Sequence, residues 1–546
     1  MSGTKEYDYV IVGAGSAGCL LAYRLGADPS NRILVLEAGG PDTDPLIHIP
    51  LGLGKMHEKR AHDWGYDTEP EEGLNGREIE AMRGKVVGGS SSINVMAYVR
   101  GHRGDYDRWA ANGAAGWSYA DVLPYFRRME NWEHGEDDWR GGKGPLHTQS
   151  AKSDDPLWAA WVEAGNAMGF GYTDDYNGEK QEGLGRSQST IHEGRRHSAA
   201  TAFLRPALRR GNVTLQDSTY VTRVVMEGTR ATGVAYSRLG KSEIVHAAKE
   251  VILSGGVFNS PQLLMLSGIG PAAHLRSVGI DPVIDSPYVG RNLQDHLAVQ
   301  PTATRPEAGP FRKTMRFDRM ATSIIRAHLF GTGPATILPG GLHGFIKTRS
   351  DLTATDIQFL FRGAPGNAHM WFPGIKRPYT DGFGVRPVLL HPESRGEVLL
   401  RSADPFDKVR IRQNFLAVPQ DLDTLRTGVK LAREMMHQPA MDKFRGVETA
   451  PGPNVKSDAE LDEWIRRMAI TAHHPSCTTP MGTNSEAVLD TECRVKGAEN
   501  LRVIDACAMP DLVSGNIHAA VLVIAEKVSD HMLGKPYLPR ASVAEH

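Results

Sequence analysis

Residues 7–40 read "YDYVIVGAGSAGCLLAYRLGADPSNRILVLEAGG". Tyr9 to Val12 form a short β-branched run suited to a buried parallel strand. Gly13, Gly15 and Gly18 complete a G-x-G-x-x-G turn around Ser16 and Ala17. The first glycine permits the tight turn, the second lets a pyrophosphate approach the backbone, and the third lets helix and strand pack closely. Free N–H groups at the helix start then face the phosphates. Leu20, Leu21 and Leu25 give that helix an apolar face, and the next strand, Ile33 to Leu36, runs into Glu37 and Ala38. Glu37 stands nineteen residues after Gly18, where a carboxylate can accept both ribose hydroxyls of an adenosine and disfavours a 2′-phosphate. The order strand, turn, helix, strand, acid makes this a Rossmann-like unit for one dinucleotide, FAD or NAD. A second formal match, "GIGPAA" from Gly268, follows helix-like "SPQLLMLS" and carries a proline, so it reads as a turn.

Working outward, residues 84–107, "GKVVGGSSSINVMAYVRGHRGDYD", hold a second glycine-rich loop between apolar flanks. Such a loop can lay bare backbone against a large flat ligand while its hydroxyls serve the polar edge.

The whole chain has 546 residues, which suggests two to four domains. Its 62 basic and 64 acidic residues leave a net charge of −2, with no electrostatic case for nucleic acid or an anionic membrane. The four cysteines, Cys19, Cys477, Cys493 and Cys507, lack metal-type spacing and fit a reducing compartment. No signal peptide or transmembrane stretch is visible, so a cytoplasmic location is expected.

Several segments together resemble the glucose–methanol–choline (GMC) oxidoreductases, particularly their choline-dehydrogenase-like and alcohol-dehydrogenase branch. Residues 84–107 match that family's first signature, and "GVFNSPQLLMLSGIG" (256–270) resembles its second, with Val257 where a small residue is usual. "VGRNLQDHL" (289–297), "HPSCTTPMG" and "NLRVIDACAMP" (500–510) also look like family segments. The resemblance implies FAD, with the flavin against Val87 to Ala97, including Gly89, Ser90, Asn94, Val95 and Met96. It also implies adenine near the backbone of Val221, and Asp505 and Ala506 near the ribityl–pyrophosphate region. Some members bind flavin covalently through a histidine just before the loop asparagine. That position here is Ile93, so non-covalent FAD is expected.

Breaking a carbinol C–H bond as hydride becomes easier while the hydroxyl loses its proton, so the site needs a base, and imidazole is mostly neutral at working pH. By resemblance that base is His474, which precedes Pro475 in an HP-x-x-T pattern, with hydride passing to flavin N5. Its partner is Asn516 in "SGNIHAAVLVIAEK" (514–527), which holds the developing oxyanion. His473 falls where the family commonly has an aromatic near the flavin and is read as a flavin or wall contact. His518 falls where the choline branch has a second asparagine, which leaves open which of positions 516 and 518 faces substrate. No metal is expected, because adjacent histidines diverge and nothing completes a tetrahedral set.

The expected fold is α/β (α+β overall), a Rossmann-like FAD-binding domain with a discontinuous antiparallel-sheet-plus-helices substrate domain. Residues 1–154, 215–309 and 471–546 are assigned to the first domain, and 155–214 and 310–470 to the second. Leu422, Leu425, Val429, Ala432 and Met436 lie on one helical face and read as core. Met370, Trp371, Phe372 and Tyr379 in residues 364–384 read either as lining of a pocket entrance or as core. The expected activity is oxidation of a primary alcohol to the aldehyde, with electrons passing to O₂ or a quinone-like acceptor. The alternative is hydroxynitrile lyase chemistry on the same scaffold. Choline, aliphatic primary alcohols and hydroxymethyl-substituted rings compete as substrates.

Overall fold

The computed structural model describes residues 7–543. The opening residues 1–6, which enter the reading of a leader and of the first domain's start, lie outside them, as do 544–546.

A seven-stranded sheet is built around the opening stretch. Tyr7–Val12 pairs in parallel with Ile33–Leu36 on one side and with the end of Lys241–Leu253 on the other. Val213–Gln216 and Leu501–Val503 extend the parallel part. Tyr9 to Val12 and Ile33 to Leu36 are all buried, as strands covered on both faces require. The outer half of Lys241–Leu253 instead turns back in an antiparallel meander with Arg230–Arg238 and Thr219–Glu227. Helices Ser16–Leu25 and His518–Met532 lie against each other beside this sheet, tied by Arg24 donating to Glu526.

The other large sheet is antiparallel, in the order Glu448–Ala450, Thr302–Thr304, Gly382–Leu389, Ile357–Arg362, Leu342–Ile346, Gly183–Arg186. Leu297–Ala298 joins it to Ile470–Thr471, the strand leading into the paired histidines. Trp161, on helix Leu157–Ala167, packs with Phe361 and Phe383 beneath the sheet. Helix Pro419–Met436 covers the same face, and Leu422, Leu425, Val429, Ala432 and Met436 are all buried as expected of core.

Strand membership departs from the expected ranges at three places. Val213–Gln216 begins within 155–214 yet pairs in the parallel sheet. Thr302–Thr304 lies within 215–309 yet pairs in the antiparallel one. Val398, Leu400, Val409 and Ile411, from 310–470, join the core of the parallel sheet. Strand pairing and apolar burial, not motif position, decide membership, and the chain crosses between the sheets mid-segment. In "GIGPAA" only Gly268 is a turn, at φ +82° after helix Gly256–Leu266; Ile269–Gly270 form a two-residue strand and Ala272 opens the next helix. No helix among the described residues is long and apolar enough to cross a membrane.

Candidate functional site

A crevice with about 1680 Å³ of atom-free space, its mouth included, opens at the carboxyl ends of the parallel strands, where open α/β sheets bind ligands. Gly13 has φ +103°, and a Cβ there would meet Ser254 O at 2.4 Å. A Cβ on Gly18 would sit 1.9 Å from Gly13 O, which is the close helix–strand packing expected of the third glycine. Glu37 accepts from the Ala14 and Gly39 amides, each at 2.8 Å, and burial pushes its carboxyl up to about 7.

The two glycine-rich segments meet. Gly88 N donates to Ala14 O at 2.7 Å, and a Cβ on Gly89 would stand 2.7 Å from Gly15 Cα. The serines do less for a ligand than expected. Ser91 Oγ donates to Gly88 O and Ser92 Oγ to Val87 O, so these hydroxyls pin the loop, and only Ser90 and Ser91 reach the crevice wall. Asn94 Oδ1 accepts from Met96 N and from Arg196, holding the loop from behind.

Gly13, Gly15, Ser16, Ala17, Glu37 and Ala38 border the crevice at one end. Gly89, Ser90, Asn94, Val95, Ala97, Val221, Asp505, Ala506, Asn516, His518, His473 and His474 also line it, with His518 beside Ser16. Three expected contacts do not reach the wall. Gly18 is spent on packing, Val87 bonds back to Gly40 O, and fully buried Met96 is turned inward at φ +61°.

His474 sits at the far end, buried. Its amide donates to Asp295 Oδ1 at 2.8 Å, its Nδ1 lies 3.0 Å from Nδ1 of His296, and its Nε2 lies 2.9 Å from the Asn516 amide nitrogen. Burial, then His296, His473 and Arg83, hold its imidazole well below the usual value. Asn516 Oδ1 is buried without a partner among the described residues. His518 points elsewhere, with Nδ1 3.0 Å from Ser16 Oγ. Geometry therefore sets position 516, not 518, against His474. His473 is held at φ +64° by its amide donating to Thr471 Oγ1; burial lowers it to about 3, and its Nδ1 is orphaned. Asp505 accepts from Gly256 N, Ser260 Oγ and Cys507 N, so its carboxylate organises the second signature segment. None of Met370, Trp371, Phe372 and Tyr379 lines the crevice, and of these four Tyr379 is the one that is buried.

Sequence reasoning missed four side chains. His57, donating from Nε2 to Ile93 O, and Arg83 both line the crevice. Asp295 and His296 support His474 from behind. The signal was present for the last two, in "NLQDHL", but a segment match carries no geometry.

The crevice fits a flavin dinucleotide: a floor where a Cβ on Gly13 or Gly89 would collide, a carboxylate on the wall, and, among the described residues, orphaned amide and imidazole atoms at Asn516 and His473. Profiles described as GMC oxidoreductase match residues 7–298 and 392–525. Proteins named oxygen-dependent choline dehydrogenase in Brucella ovis and Sinorhizobium fredii are each 44% identical to it over 541 residues, spanning 98% of this chain and 97% of theirs. The crystal structure of pyridoxine 4-oxidase from Mesorbium loti superposes with a TM-score of 0.86 at 32% identity, covering 97% of this chain and 100% of that one.

Proposed function

The chain belongs to the GMC oxidoreductase family, as an FAD-dependent enzyme that oxidises a primary alcohol to its aldehyde, and on that premise we propose that His474 is the base and Asn516 the oxyanion donor of the reaction. The observation that carries this is the 2.9 Å approach of the Asn516 amide nitrogen to His474 Nε2.

Tautomers follow from the network. His296 Nε2 lies 3.1 Å from Leu390 O, and a carbonyl only accepts, so that nitrogen bears the proton. His296 Nδ1 is then a lone pair, and His474 Nδ1 must donate to it. His474 Nε2 is left bare, and the Asn516 N–H donates to it. A substrate hydroxyl entering between them donates to Nε2 and accepts from the amide, the arrangement that takes its proton and steadies the oxygen as charge develops. Bound FAD supplies the hydride acceptor. Burial keeps His474 neutral and ready.

The product of deprotonation and hydride loss is the aldehyde, and the electrons pass on to O₂ or a quinone-type acceptor. The relatives above are named dehydrogenase and oxidase, so the lyase alternative is dropped. Their names put choline first among alcohols to test. A cytoplasmic location belongs to the same reading, supported by four buried, free cysteines. The deciding experiment is anaerobic stopped-flow mixing with primary alcohols: flavin bleaching supports the reading, and no bleaching with any of them ends it.

A further inference from the structure

Beside the crevice, though not among its lining residues, lies the face of the antiparallel sheet turned away from Trp161 and helix Pro419–Met436. Along Ile357–Arg362, Phe359 and Phe361 face Trp161 and the helices, so Gln358, Leu360 and Arg362 point the other way. On Gly382–Leu389, Phe383 and Val385 belong to the same helix-covered core, which turns Arg386 to the side of Arg362. Register places Arg386 opposite Leu360, and Arg362 opposite Gly384, so the two guanidinium groups are diagonal neighbours with a glycine leaving space between the strands. This face looks toward the reaction centre. Phe345, paired with Gln358, comes within 3.6 Å of where a Cβ on Gly515 would stand, next to Asn516. The charge of Arg386 bears on His473, and that of Arg362 on His57.

Three of the protein's buried arginines are paired with carboxylates. Arg100 and Arg140 share Glu130, and Arg305 holds Asp155 in two hydrogen bonds. Arg362 and Arg386 are half-buried and, like Arg83 on the crevice wall, hold no carboxylate among the described residues. Among the described residues the Arg362 side chain has no hydrogen bond or ion pair. Arg386 donates only to the Gln300 side-chain oxygen, at 3.1 Å, and its Nε is buried without a partner. Burial, with Arg362 adding, lowers Arg386 to about 9. Beside them Gln358 is 0% exposed with both amide atoms unpartnered, and buried His343 has an unpartnered Nδ1. Buried cations and amides ordinarily find partners within the fold. A face where they do not is built for a ligand that supplies them. The carboxylates on the crevice wall, Glu37 and Asp505, are both engaged by backbone amides.

We infer that Arg362 and Arg386, with Gln358 and His343, form an anion-accepting subsite, and that the substrate is a primary alcohol carrying a carboxylate at the end away from its hydroxyl. This rests on the reading of His474 and Asn516 as the carbinol-binding pair. The two half-buried guanidinium forks receive the carboxylate oxygens, the fully buried Gln358 stands behind them, and the hydroxyl reaches His474. A quaternary ammonium at the same end would meet two cations and no carboxylate.

The test uses the FAD-loaded full chain with paired probes. Flavin reduction is measured with 3-hydroxypropionate and 4-(hydroxymethyl)benzoate, with their methyl esters, and with choline. At least one acid is expected to exceed its ester and choline in kcat/KM by about 10- to 100-fold, chiefly through KM. In R362Q and R386Q the loss with that acid exceeds the loss with its ester by at least about tenfold, and R362E moves preference toward choline. Calorimetry with 4-methylbenzoate and 4-methylbenzamide, which have no hydroxyl to oxidise, reads the subsite independently of catalysis. The acid binds the wild type more tightly than the amide, and the preference disappears in R362Q. If alcohols bleach the flavin but neither acid outperforms its ester and 4-methylbenzoate shows no preference, the subsite is refuted while the alcohol chemistry stands. If no alcohol bleaches the flavin yet the acid binds through Arg362, the catalytic reading falls and the subsite stands.

Discussion

The Nδ1 atoms of His296 and His474 face each other at 3.0 Å, their rings nearly perpendicular at 83°. His296 is thus a positioning residue that fixes which nitrogen of His474 is bare. His296→Phe keeps the volume and removes the acceptor. The flavin-reduction rate is expected to fall about tenfold or more with KM little changed, and the pH at which the rate half-falls to shift, since His474 loses the partner of its Nδ1 proton. His296→Asn, which can still accept at that point, is expected to restore part of the rate. Equal loss in both variants with an unmoved pH profile would count against this role.

His474→Ala removes the proposed base. Bound FAD, read from the visible absorbance of purified protein, is expected to remain at wild-type occupancy, while reduction by alcohol slows by about 10²–10⁴-fold. Reduction at the native rate would sink the assignment.

Asn516→Ala leaves the proposed base and deletes the proposed donor. A loss of about 10²–10³-fold in kcat is expected, as for a single oxyanion donor. Asn516→Asp should be slower still at neutral pH, because a carboxylate against Nε2 favours the protonated imidazole and opposes negative charge on the substrate oxygen. Stopped-flow reduction with the same alcohol separates the two variants.

Gly89→Ala tests the crossing of the two glycine loops. The residue has φ +54°, and the new Cβ would stand 2.7 Å from Gly15 Cα. The loops must part, and FAD occupancy at purification is expected to drop well below that of Gly40→Ala, where a Cβ meets nothing within 4 Å. The ratio of flavin to protein absorbance checks this.

Acid should destabilise the fold from an early point. Burial lowers His197, His296 and His473 to about 3 and His343 and His518 to about 4, with His474 lowered as well. Each folded pKa lies below the unfolded value near 6.5, so between the two the unfolded chain binds more protons and stability is lost as pH falls. Glu37, at about 7, and Asp295, at about 6, are raised and act oppositely over part of that range. The imidazoles outnumber them. The expected result is a Tm that declines steadily from about pH 6.5 to about pH 4, measured by a thermal scan series.

Much of this was legible in the residues because the chemistry is local. Gly13, Gly15, Gly18 and Glu37 each answer to a constraint set by a few neighbouring residues, and strand, turn and helix fell where their pattern placed them. The histidine pair was legible only through resemblance, since nothing near residue 474 states that residue 516 folds onto it. The roles of Asp295 and His296 were not legible, because they depend on a strand pairing, Leu297–Ala298 with Ile470–Thr471, that joins distant segments. Nor could alternation along Ile357–Arg362 show that its polar face lacks counter-charges, which depends on what the rest of the chain brings there. The serines of the second glycine loop misled in the opposite direction: small hydroxyls beside flexible backbone are as apt to brace the loop as to serve a ligand.

His518 against Ser16, and Glu526 against Arg24, join residues 502 positions apart. The cradle for the adenosine end is therefore incomplete while the chain is being synthesised, and its first helix waits through nearly the whole of translation for its neighbour. Cofactor capture becomes a late, post-ribosomal event, and a premature stop even shortly before codon 518 should leave a polypeptide that displays the nucleotide fingerprint yet stays colourless.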